Sequence, residues 1–489
     1  MPISALPAPY GIGTLGESAF RFIDWLSSAG MKIWQILPLL PTNYGDSPYQ
    51  SCASDALNYY FIDFELLKKD GLLKKSDYAQ IDWGCDPERI NYGKLFEEKI
   101  GVLKKAFKRF DKKTPEWQSF LAEGRYADFA VFMSLKSENN YRPWTDWGKY
   151  RKYNETKMKA YIAENREKIE FWQFTQYIFL IQWRALKAYA NAKGVQIFGD
   201  MPIYVAFDSV EMWKYGKRFF YTDKKGLPTL RAGVPPDAFS ADGQLWGNPV
   251  YNWSKMKKDG FQWWHDRIDY ALTLFDYVRI DHFRAFDRYY AIEGNATTAK
   301  EGRWRKGAGI ELFKGKKGLG IIAEDLGIID DGVRKLLKKT GYPGMRVLEF
   351  ALDGNPFNTH KPSTYETDNC VAYTGTHDND PLVAHMEKLD EYNYGVFSSD
   401  LKSECEKARV TYRGDSKRAQ CRSAIRLVFA CRAFAAILPM QDVLCLGQES
   451  RMNEPSTLSD KNWSYRFKKR DFSKKTGAWL KSLTEKYNR

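Results

Sequence analysis

Short apolar runs that end in polar or charged residues recur along this chain, and they limit its possible folds more than any other feature. The runs are residues 32–41, 59–65, 195–205, 276–281, 319–327, 346–352, 371–378 and 442–447. Continuous apolar runs of this length are typical of strands that are buried on both faces of a parallel sheet. Segments with helical periodicity lie between most of them, including 17–30, 172–190 and 261–275. Eight strands that alternate with helices predict an α/β fold closed into a (β/α)8 TIM barrel.

Two spacings between the runs are too long for a bare barrel. About 130 residues separate the second run from the third, and about 70 separate the third from the fourth. We therefore predict a single catalytic barrel over residues 1–489, with a mostly helical subdomain inserted at approximately 66–190. A second insertion, at approximately 206–260, carries a long loop. Because barrel active sites lie where strands meet the following helices, we expect both insertions to form extra subdomains around the cleft.

Composition limits the possible partners. The 489 residues are 44% apolar, which is enough for a sizeable core, and the net charge is +14. A basic surface can bind nucleic acid, but no helix-turn-helix, zinc-finger or RRM pattern accompanies this charge. We therefore predict a solvated basic surface and no nucleic-acid partner.

Cysteine usage and hydropathy indicate the cellular compartment of the protein. The chain has seven cysteines with no CxxC pair, which favours a reducing environment. The first residues show neither a basic leader nor an apolar core, and the most apolar stretch, 425–440, is interrupted by Arg426 and Arg432. The sequence predicts a cytoplasmic protein with no membrane partner.

Three acidic residues end three of the runs. In a strand, Tyr277, Arg279 and Asp281 share one face, so a guanidinium would lie beside the Asp281 carboxylate and favour its ionised form. An ionised carboxylate can act as a nucleophile. Glu324 follows three small or apolar residues, so burial could raise its pKa towards that of a general acid.

The third acid, Asp378, lies in a dense polar segment, 376–380, directly after an apolar run. Grouping His, Asp and Asn there costs desolvation unless a polar ligand or a metal meets them. The chain has five histidines and no second metal-ligand cluster, so a polar ligand is favoured over a metal.

Taken singly, Asp281 and the Glu324–Asp325 pair are better explained as helix caps or structural ion pairs. Together with Asp378 they stand at the tips of three predicted parallel strands, which is where barrel enzymes place catalytic groups. Two carboxyl groups facing one glycosidic bond are the minimum for glycoside cleavage.

Several blocks of residues resemble one family throughout the chain. They are YGIGTLGESAFRFIDWL (10–26), WQILPLLPTNYGDSPYQS (34–51), GDMPIYVAFDSVEMW (199–213), PPDAFSADGQLWGNPVYNW (235–253), YVRIDHFRAF (277–286), IIAEDLG (321–327), GYPGMRVLEF (341–350), THDND (376–380) and RMNEPST with NWSYR (451–466). In this order they resemble the 4-α-glucanotransferases, the amylomaltase or disproportionating-enzyme family of glycoside hydrolase family 77. The resemblance implies retaining transfer of α-1,4-glucan segments between donor and acceptor glucans, with no cofactor and no metal.

The resemblance also implies roles for individual residues. Asp281 matches the nucleophile, Glu324 the general acid/base, and Asp378 the third carboxylate, which holds the sugar ring. The implied substrate-binding residues are Tyr49, Asp200, Phe239, Trp246, Arg279, His377 and Asn453, of which Phe239 and Trp246 belong to a flap loop at 235–246. Donor length and oligomeric state, monomer or homodimer, are left open.

The chain departs from the family pattern at some positions. Pro381 replaces a threonine, Ala285 and Ser456 replace glycines, and 57–59 replaces a Gly-Asn-Pro segment. These changes affect loop shape and acceptor preference rather than the catalytic acids. The alternatives are an amylase-type α-glucan hydrolase, a non-catalytic glucan-binding protein and, from charge alone, a nucleic-acid-binding protein.

Overall fold

Seven short parallel strands lie at the centre of the fold. The structure is a computed structural model, and it describes residues 1–43, 45–84, 86–236 and 241–489. In those residues the strands are β1 (Ile33–Gln35), β2 (Gln196–Met201), β3 (Leu230–Val234), β4 (Gln244–Pro249), β5 (Tyr277–Ile280), β6 (Arg288–Glu293), β7 (Arg303–Lys306), β8 (Ile321–Ala323), β9 (Gly344–Val347), β10 (Cys370–Tyr373) and β11 (Ala435–Ile437). Parallel pairing gives the orders β1-β2-β5-β8 and β9-β10-β11. The backbone N–H of Ala323 donates to the carbonyl oxygen of Pro343 at 2.9 Å, which links β8 to the chain entering β9.

One buried cluster fills the space that these strands enclose. Its members come from both parallel groups: Phe198, Ile322, Met345, Val347, Val371, Tyr373 and Ala435. Because β8 is also linked to the chain entering β9, the two groups continue one another, and side chains of both fill one interior, as in a sheet that curves into a barrel. The strands therefore form the wall of an α/β barrel, the predicted fold class, and its interior is packed with side chains.

Helices surround the barrel and fill the long spacings. They are α1 (Glu17–Ser28), α2 (Phe64–Lys69), α3 (Tyr92–Arg109), α4 (Pro115–Glu123), α5 (Ala127–Glu138), α6 (Glu155–Glu164), α7 (Arg166–Ala192), α8 (Val210–Phe219), α9 (Trp253–Met256), α10 (Gln262–Leu274), α11 (Asp331–Thr340), α12 (Leu382–Lys388), α13 (Glu391–Lys407), α14 (Lys417–Ala430), α15 (Met440–Val443) and α16 (Lys474–Tyr487). Short 3-10 helices span Tyr59–Phe61, Lys75–Asp77, Trp144–Asp146, Gly148–Tyr150, Lys257–Asp259, Phe283–Phe286, Ile310–Phe313, Leu348–Phe350, Pro362–Thr364, Gln448–Ser450 and Lys469–Asp471. The helices expected at 17–30, 172–190 and 261–275 are present as α1, α7 and α10. Helices α2 to α7 lie between β1 and β2.

The predicted strand at 59–65 is wrong. This segment forms a 3-10 turn, Tyr59–Phe61, and then enters α2. The side chain of Asn58 accepts a hydrogen bond from the N–H of Tyr60 at 3.0 Å, and that of Asp63 accepts one from Leu66 at 3.0 Å. These two caps satisfy backbone donors that a strand would present to a neighbour, so the apolar residues are buried in helical turns.

The predicted strand at 442–447 is also wrong. Residues Met440–Val443 form α15, and the strand of this region is β11, immediately before it. Pro439 separates the two elements and serves as the N-cap of α15. Because proline has no N–H to donate and a fixed φ suited to a helix start, it ends the strand and favours the helix.

A second, antiparallel sheet lies outside the barrel, in the order β4-β3-β6-β7, and no predicted run corresponds to it. Strands β3 and β4 belong to the second insertion, whereas β6 and β7 follow β5. A Cβ atom on Gly233 would lie 2.1 Å from the carbonyl oxygen of Gln244, so β3 and β4 can approach this closely only with glycine there.

Six cysteines in the described part of the chain are free and buried, and Cys85 lies outside it. Within the same residues, no helix is both long enough and apolar enough to cross a membrane.

Ser456 provides a test of backbone strain. Its φ is +64°, in the left-handed region that favours glycine, which is the residue expected at this position from the family pattern. Ser456→Gly should therefore raise the free energy of unfolding by about 1 kcal/mol in urea titrations. Ser459→Gly, in the same loop but with no left-handed φ, is the control and should not stabilise the protein. An unchanged or lower stability of Ser456→Gly would contradict this reading.

Candidate active site

The strand register brings two of the acids to one edge of the barrel. Asp200 and Arg279 are paired across β2 and β5, and Arg279 is paired with Ile322 across β5 and β8. Two residues further along the same face, Asp281 and Glu324 follow the ends of β5 and β8. The N–H of Glu324 donates to the carbonyl oxygen of residue 280 at 3.0 Å, which continues the pairing to this point. Adjacent strands lie ~4.8 Å apart, so the two acids are neighbours.

Arg279 is the centre of a buried ion-pair network. Its Nε and Nη2 donate to the two oxygens of Asp200 at 3.0 and 2.8 Å, and Nη2 also donates to Asp281 Oδ1 at 3.0 Å. The Tyr49 hydroxyl accepts from Arg279 Nη2 at 2.9 Å and donates to Asp200 Oδ2 at 2.6 Å. The side chains of Arg279 and Asp200 are 5% and 1% exposed. The network fixes the orientation of the Asp281 carboxyl group.

The pKa of Asp281 depends on more groups than Arg279, on which the sequence-based expectation relied. Burial raises the pKa of Asp281, and this effect outweighs the opposing attraction of Arg279. The nearby carboxyl groups of Asp200, Glu324 and Asp378 raise it further by repulsion. Burial, Arg279 and three neighbouring acids therefore determine together at which pH Asp281 ionises.

Glu324 is held by backbone groups. The N–H of His282 donates to Oε2 at 2.7 Å, and the N–H of Leu326 donates to Oε1 at 2.7 Å. His282 has a φ of +45°, and this left-handed conformation occurs directly after Asp281. Burial raises the pKa of Glu324, as its apolar neighbours predict, whereas Arg279 and the two N–H donors lower it. Burial is the largest effect.

Asp325 does not cap a helix, as considered from the sequence. Its carboxylate accepts from the N–H of Met345 at 2.6 Å and from Arg346 Nη1 at 3.1 Å, so it ties β8 to β9. The following helix, α11, is capped by Asp330 instead.

Asp378 lies on the loop after β10 and contacts two of the predicted binding residues, His377 on the same loop and Asn453 from a later segment. Asn453 Nδ2 donates to Asp378 Oδ1 at 2.7 Å, and His377 Nε2 is 3.4 Å from Asp378 Oδ2. The imidazole of His377 stacks on the ring of Tyr49, with centroids 5.2 Å apart and an interplanar angle of 14°. Burial lowers the pKa of His377, so the ring is neutral near pH 7. Asp378 is half-exposed and available to a ligand.

Trp246 lies in β4, not on the predicted flap loop, and covers another side of the same edge. Its indole meets the ring of His282 edge-on, with centroids 4.9 Å apart, and its Nε1 donates to Gln244 Oε1 at 3.0 Å. The structure therefore places Trp246 beside the residue that follows Asp281. Phe239, predicted for the same loop, lies outside the described residues.

Sequence reasoning did not assign His282 or Trp463 to the site. His282 links Glu324 to Trp246, and Trp463 packs against both Tyr49 and His377 with ring centroids 5.8 Å away. His282 could have been found as the residue directly after a strand-end acid. Trp463 gave no signal except its place in the NWSYR segment, because its contacts join distant parts of the chain.

The arrangement combines paired carboxyl groups with aromatic walls. An acid oriented by a guanidinium can act as a nucleophile, and a buried acid with a raised pKa can donate a proton. Within the described residues, no group of three or more His, Cys, Asp and Glu side chains is placed to hold a metal ion. The geometry suits acid–base and covalent chemistry on a neutral polar ligand such as a glycoside.

Comparisons with known proteins agree with this reading. Residues 1–472 match the sequence pattern of the family described as 4-alpha-glucanotransferase, glycoside hydrolase family 77. The 4-alpha-glucanotransferase of Clostridium butyricum is 43% identical over the whole of both chains, and that of Thermus thermophilus is 40% identical over 99% of this chain and 96% of its own. The solved structure of amylomaltase from Streptococcus agalactiae, in complex with acarbose, has a TM-score of 0.93 at 40% identity and covers 100% of this chain and 98% of its own.

The buried network around Arg279 supports a stability prediction. Asp200→Ala leaves the guanidinium buried with one carboxylate fewer, so the free energy of unfolding should fall by about 3–5 kcal/mol in urea titrations. The control, Asp415→Ala, removes an exposed acid and should change stability little. A loss below about 1 kcal/mol for Asp200→Ala would show that the network does not depend on this pair.

Proposed function

The chain belongs to the 4-α-glucanotransferase family, and we propose that its transfer reaction runs through Asp281, Glu324 and Asp378. The enzyme is a glycosyltransferase that moves α-1,4-glucan segments from a donor to an acceptor. The observation that carries the assignment of residues is the placement of Asp281 and Glu324 as neighbours at the ends of β5 and β8.

In the first step, the protonated carboxyl group of Glu324 gives its proton to the 4-oxygen of the leaving sugar. Asp281 Oδ attacks the anomeric carbon as the glycosidic bond breaks, which forms a covalent glucosyl-enzyme. The hydrogen bond from Arg279 to Asp281 Oδ1, at 3.0 Å, orients the attacking carboxylate. Glu324 ends this step as a carboxylate, which the N–H groups of His282 and Leu326 stabilise.

In the second step, the Glu324 carboxylate takes the proton from the 4-hydroxyl group of an incoming glucan. The alkoxide oxygen displaces Asp281 from the anomeric carbon, so the new glycosidic bond has the original α configuration. Both acids return to their starting protonation states. Retention follows because two inversions occur at the same carbon.

The remaining predicted residues bind the sugar ring and hold the machinery in place. Asp378, steadied by Asn453 and next to the neutral His377, accepts hydrogen bonds from sugar hydroxyl groups and favours the distorted ring of the transition state. Tyr49 and Asp200 act through Arg279 by fixing the guanidinium that orients the nucleophile.

Transfer wins over hydrolysis where the acceptor sugar excludes water. We assign this task to residues 235–246, with Phe239 of the predicted flap and Trp246 at the start of β4 as aromatic surfaces, carried by the insertion at approximately 206–260. The helical insertion at approximately 66–190 forms another wall of the substrate cleft in the same single-chain catalytic domain. Donors and acceptors are maltooligosaccharides or glucans from starch or glycogen, encountered in the cytoplasm. The acarbose complex of the S. agalactiae relative supports an α-glucan ligand class.

Maltotriose distinguishes this assignment from the alternatives of hydrolysis and simple glucan binding. The protein should convert it into glucose and a ladder of longer maltooligosaccharides, seen by chromatography. Asp281→Asn and Glu324→Gln should each lower this rate by ~10²-fold or more, because each removes a group used in bond breaking. Asp415→Asn, at an exposed acid, is the control.

A donor whose leaving group needs no protonation separates the proposed role of Glu324 as acid from that of Asp281 as nucleophile. With α-maltosyl fluoride, Glu324→Gln should recover formation of the glucosyl-enzyme, whereas Asp281→Asn should stay inactive. Either variant retaining more than a tenth of the maltotriose rate would overturn its assigned role. Only shorter products with rising reducing ends would favour the hydrolase.

The pH dependence of kcat/KM for maltotriose follows from the raised pKa values. Asp281 must be ionised to attack, so the rate should rise with pH through a pKa above the ordinary 3.8 of an aspartate. Glu324 must be protonated, so the rate should fall at higher pH, through a pKa above 4.5. An acid limb centred below pH 4 would contradict this electrostatic account.

A further inference from the structure

The loop from Thr374 to Leu382, here called the Asp378 loop, is fixed at both ends by one buried acid. Asp442, on α15, accepts from the hydroxyl of Thr374 through Oδ2 at 2.5 Å. Its Oδ1 accepts from the N–H of Leu382 at 2.7 Å. The ends of the loop are thereby set, but neither bond reaches its middle, where Asp378 lies.

A second buried acid holds the middle of the loop. Glu349, in the 3-10 turn after β9, accepts through Oε1 from Asn379 Nδ2 at 2.9 Å. The other end of the amide, Asn379 Oδ1, accepts from both the N–H and the hydroxyl of Thr376, at 2.9 and 2.8 Å. The chain of contacts from Glu349 through Asn379 to Thr376 therefore brackets His377 and Asp378 on both sides.

Packing holds the inner side of this segment only in part, because that side borders a cleft that is open to solvent. The loop residues that line the cleft are Gly375, Thr376, His377, Asn379, Asp380 and Pro381. A segment with open space behind it can shift at little cost in van der Waals contacts. Hydrogen bonds from outside the loop must then supply the restraint.

The surroundings of Glu349 favour a neutral carboxyl group. Its side chain is 8% exposed, and burial raises the pKa of Glu349 to about 8. Repulsion from Asp442 and Asp380 adds to this effect, and the Asn379 hydrogen bond and Arg451 oppose it in part. His385 Nδ1 is 3.5 Å from Oε1. Near pH 7 the group thus offers Asn379 a neutral acceptor oxygen, as an amide would.

We propose that Glu349 is a positioning residue that acts through Asn379 to hold His377 and Asp378 where they meet the sugar ring. The inference rests on the proposed role of Asp378 and adds a residue that does not touch the substrate. What Glu349 contributes is one hydrogen-bond acceptor at a fixed place, not its charge. Replacement by an amide should therefore preserve the function, and replacement by an apolar isostere should remove it.

The test compares Glu349→Gln with Glu349→Met in maltotriose kinetics at pH 7. The methionine variant keeps the side-chain volume but loses the acceptor, so kcat/KM should fall about 10–100-fold, since small displacements of substrate-positioning groups cost this much. The glutamine variant should stay within threefold of wild type. Glu387→Gln, at an exposed acid on α12, is the matched control and should not change kcat/KM.

A double-mutant cycle with Asp378→Asn shows whether the effect passes through the loop. If Glu349 acts only by placing Asp378, adding Glu349→Met to Asp378→Asn should cost far less than it does alone. Circular dichroism and thermal unfolding establish that each variant is folded. A Glu349→Met variant within threefold of wild type, full additivity, or a glutamine variant as impaired as the methionine one would overturn the proposal.

Failure of the underlying assignment gives a different result. If Asp378→Asn alone keeps full activity, the role proposed for Asp378 is wrong, whatever Glu349 does. If Asp378→Asn is impaired and Glu349→Met is not, only the positioning role fails.

Thermal unfolding against pH gives a further readout for Glu349. The folded state binds the Glu349 proton more tightly than the unfolded state, in which the glutamate has a pKa near 4.5. The contribution of this proton to the free energy of unfolding is therefore complete below pH 4.5 and is lost as the pH rises towards 8. Between pH 6 and 9 the melting temperature of Glu349→Gln should therefore rise relative to wild type. A constant difference would show that Glu349 is not held neutral in the folded state.

Discussion

The ion pair between Arg279 and Asp200 is the interaction on which the active site depends. Both side chains are almost completely buried, and a buried charge is tolerated only where a partner and further hydrogen bonds compensate for lost hydration. Asp200 supplies both oxygens to the guanidinium, and the Tyr49 hydroxyl bridges the pair. Arg279 Nη2, which already donates to Asp200 and Tyr49, also donates to Asp281 Oδ1, so the group that compensates the buried charge also orients the carboxyl group proposed as nucleophile.

The rest of the site is arranged around this pair. Tyr49 joins it to His377 by ring stacking, and His377 continues to Asp378. On the other side, the backbone after Asp281 turns at His282 and reaches Glu324. Groups from four strand ends thus form one connected structure, which is why a substitution at one of them is felt at its neighbours.

The sequence predicts well whatever depends on strand ends. The acids at 281, 324 and 378 follow buried strands, and alternation along β5 places Arg279 and Asp281 on one face, as observed. Predictions failed where an apolar run is buried by other means. Residues 59–65 turn into a helix because Asn58 and Asp63 cap it, and 442–447 follows Pro439, which ends β11. Local capping outweighed hydropathy in both places.

The balance of charges around Asp281 and the contacts between distant segments could not be predicted from the sequence. Arg279 alone predicts a low pKa for Asp281, but burial and three neighbouring acids raise this pKa, and the proximity of those acids follows only from the folded barrel. The contact of Trp246 with His282 has a practical consequence for enzyme redesign. His282 contacts Trp246 through its ring and Glu324 through its N–H, so we expect libraries that vary Trp246 to disturb Glu324, the proposed proton donor, as well. Engineering of acceptor choice at Trp246 should therefore screen turnover together with selectivity.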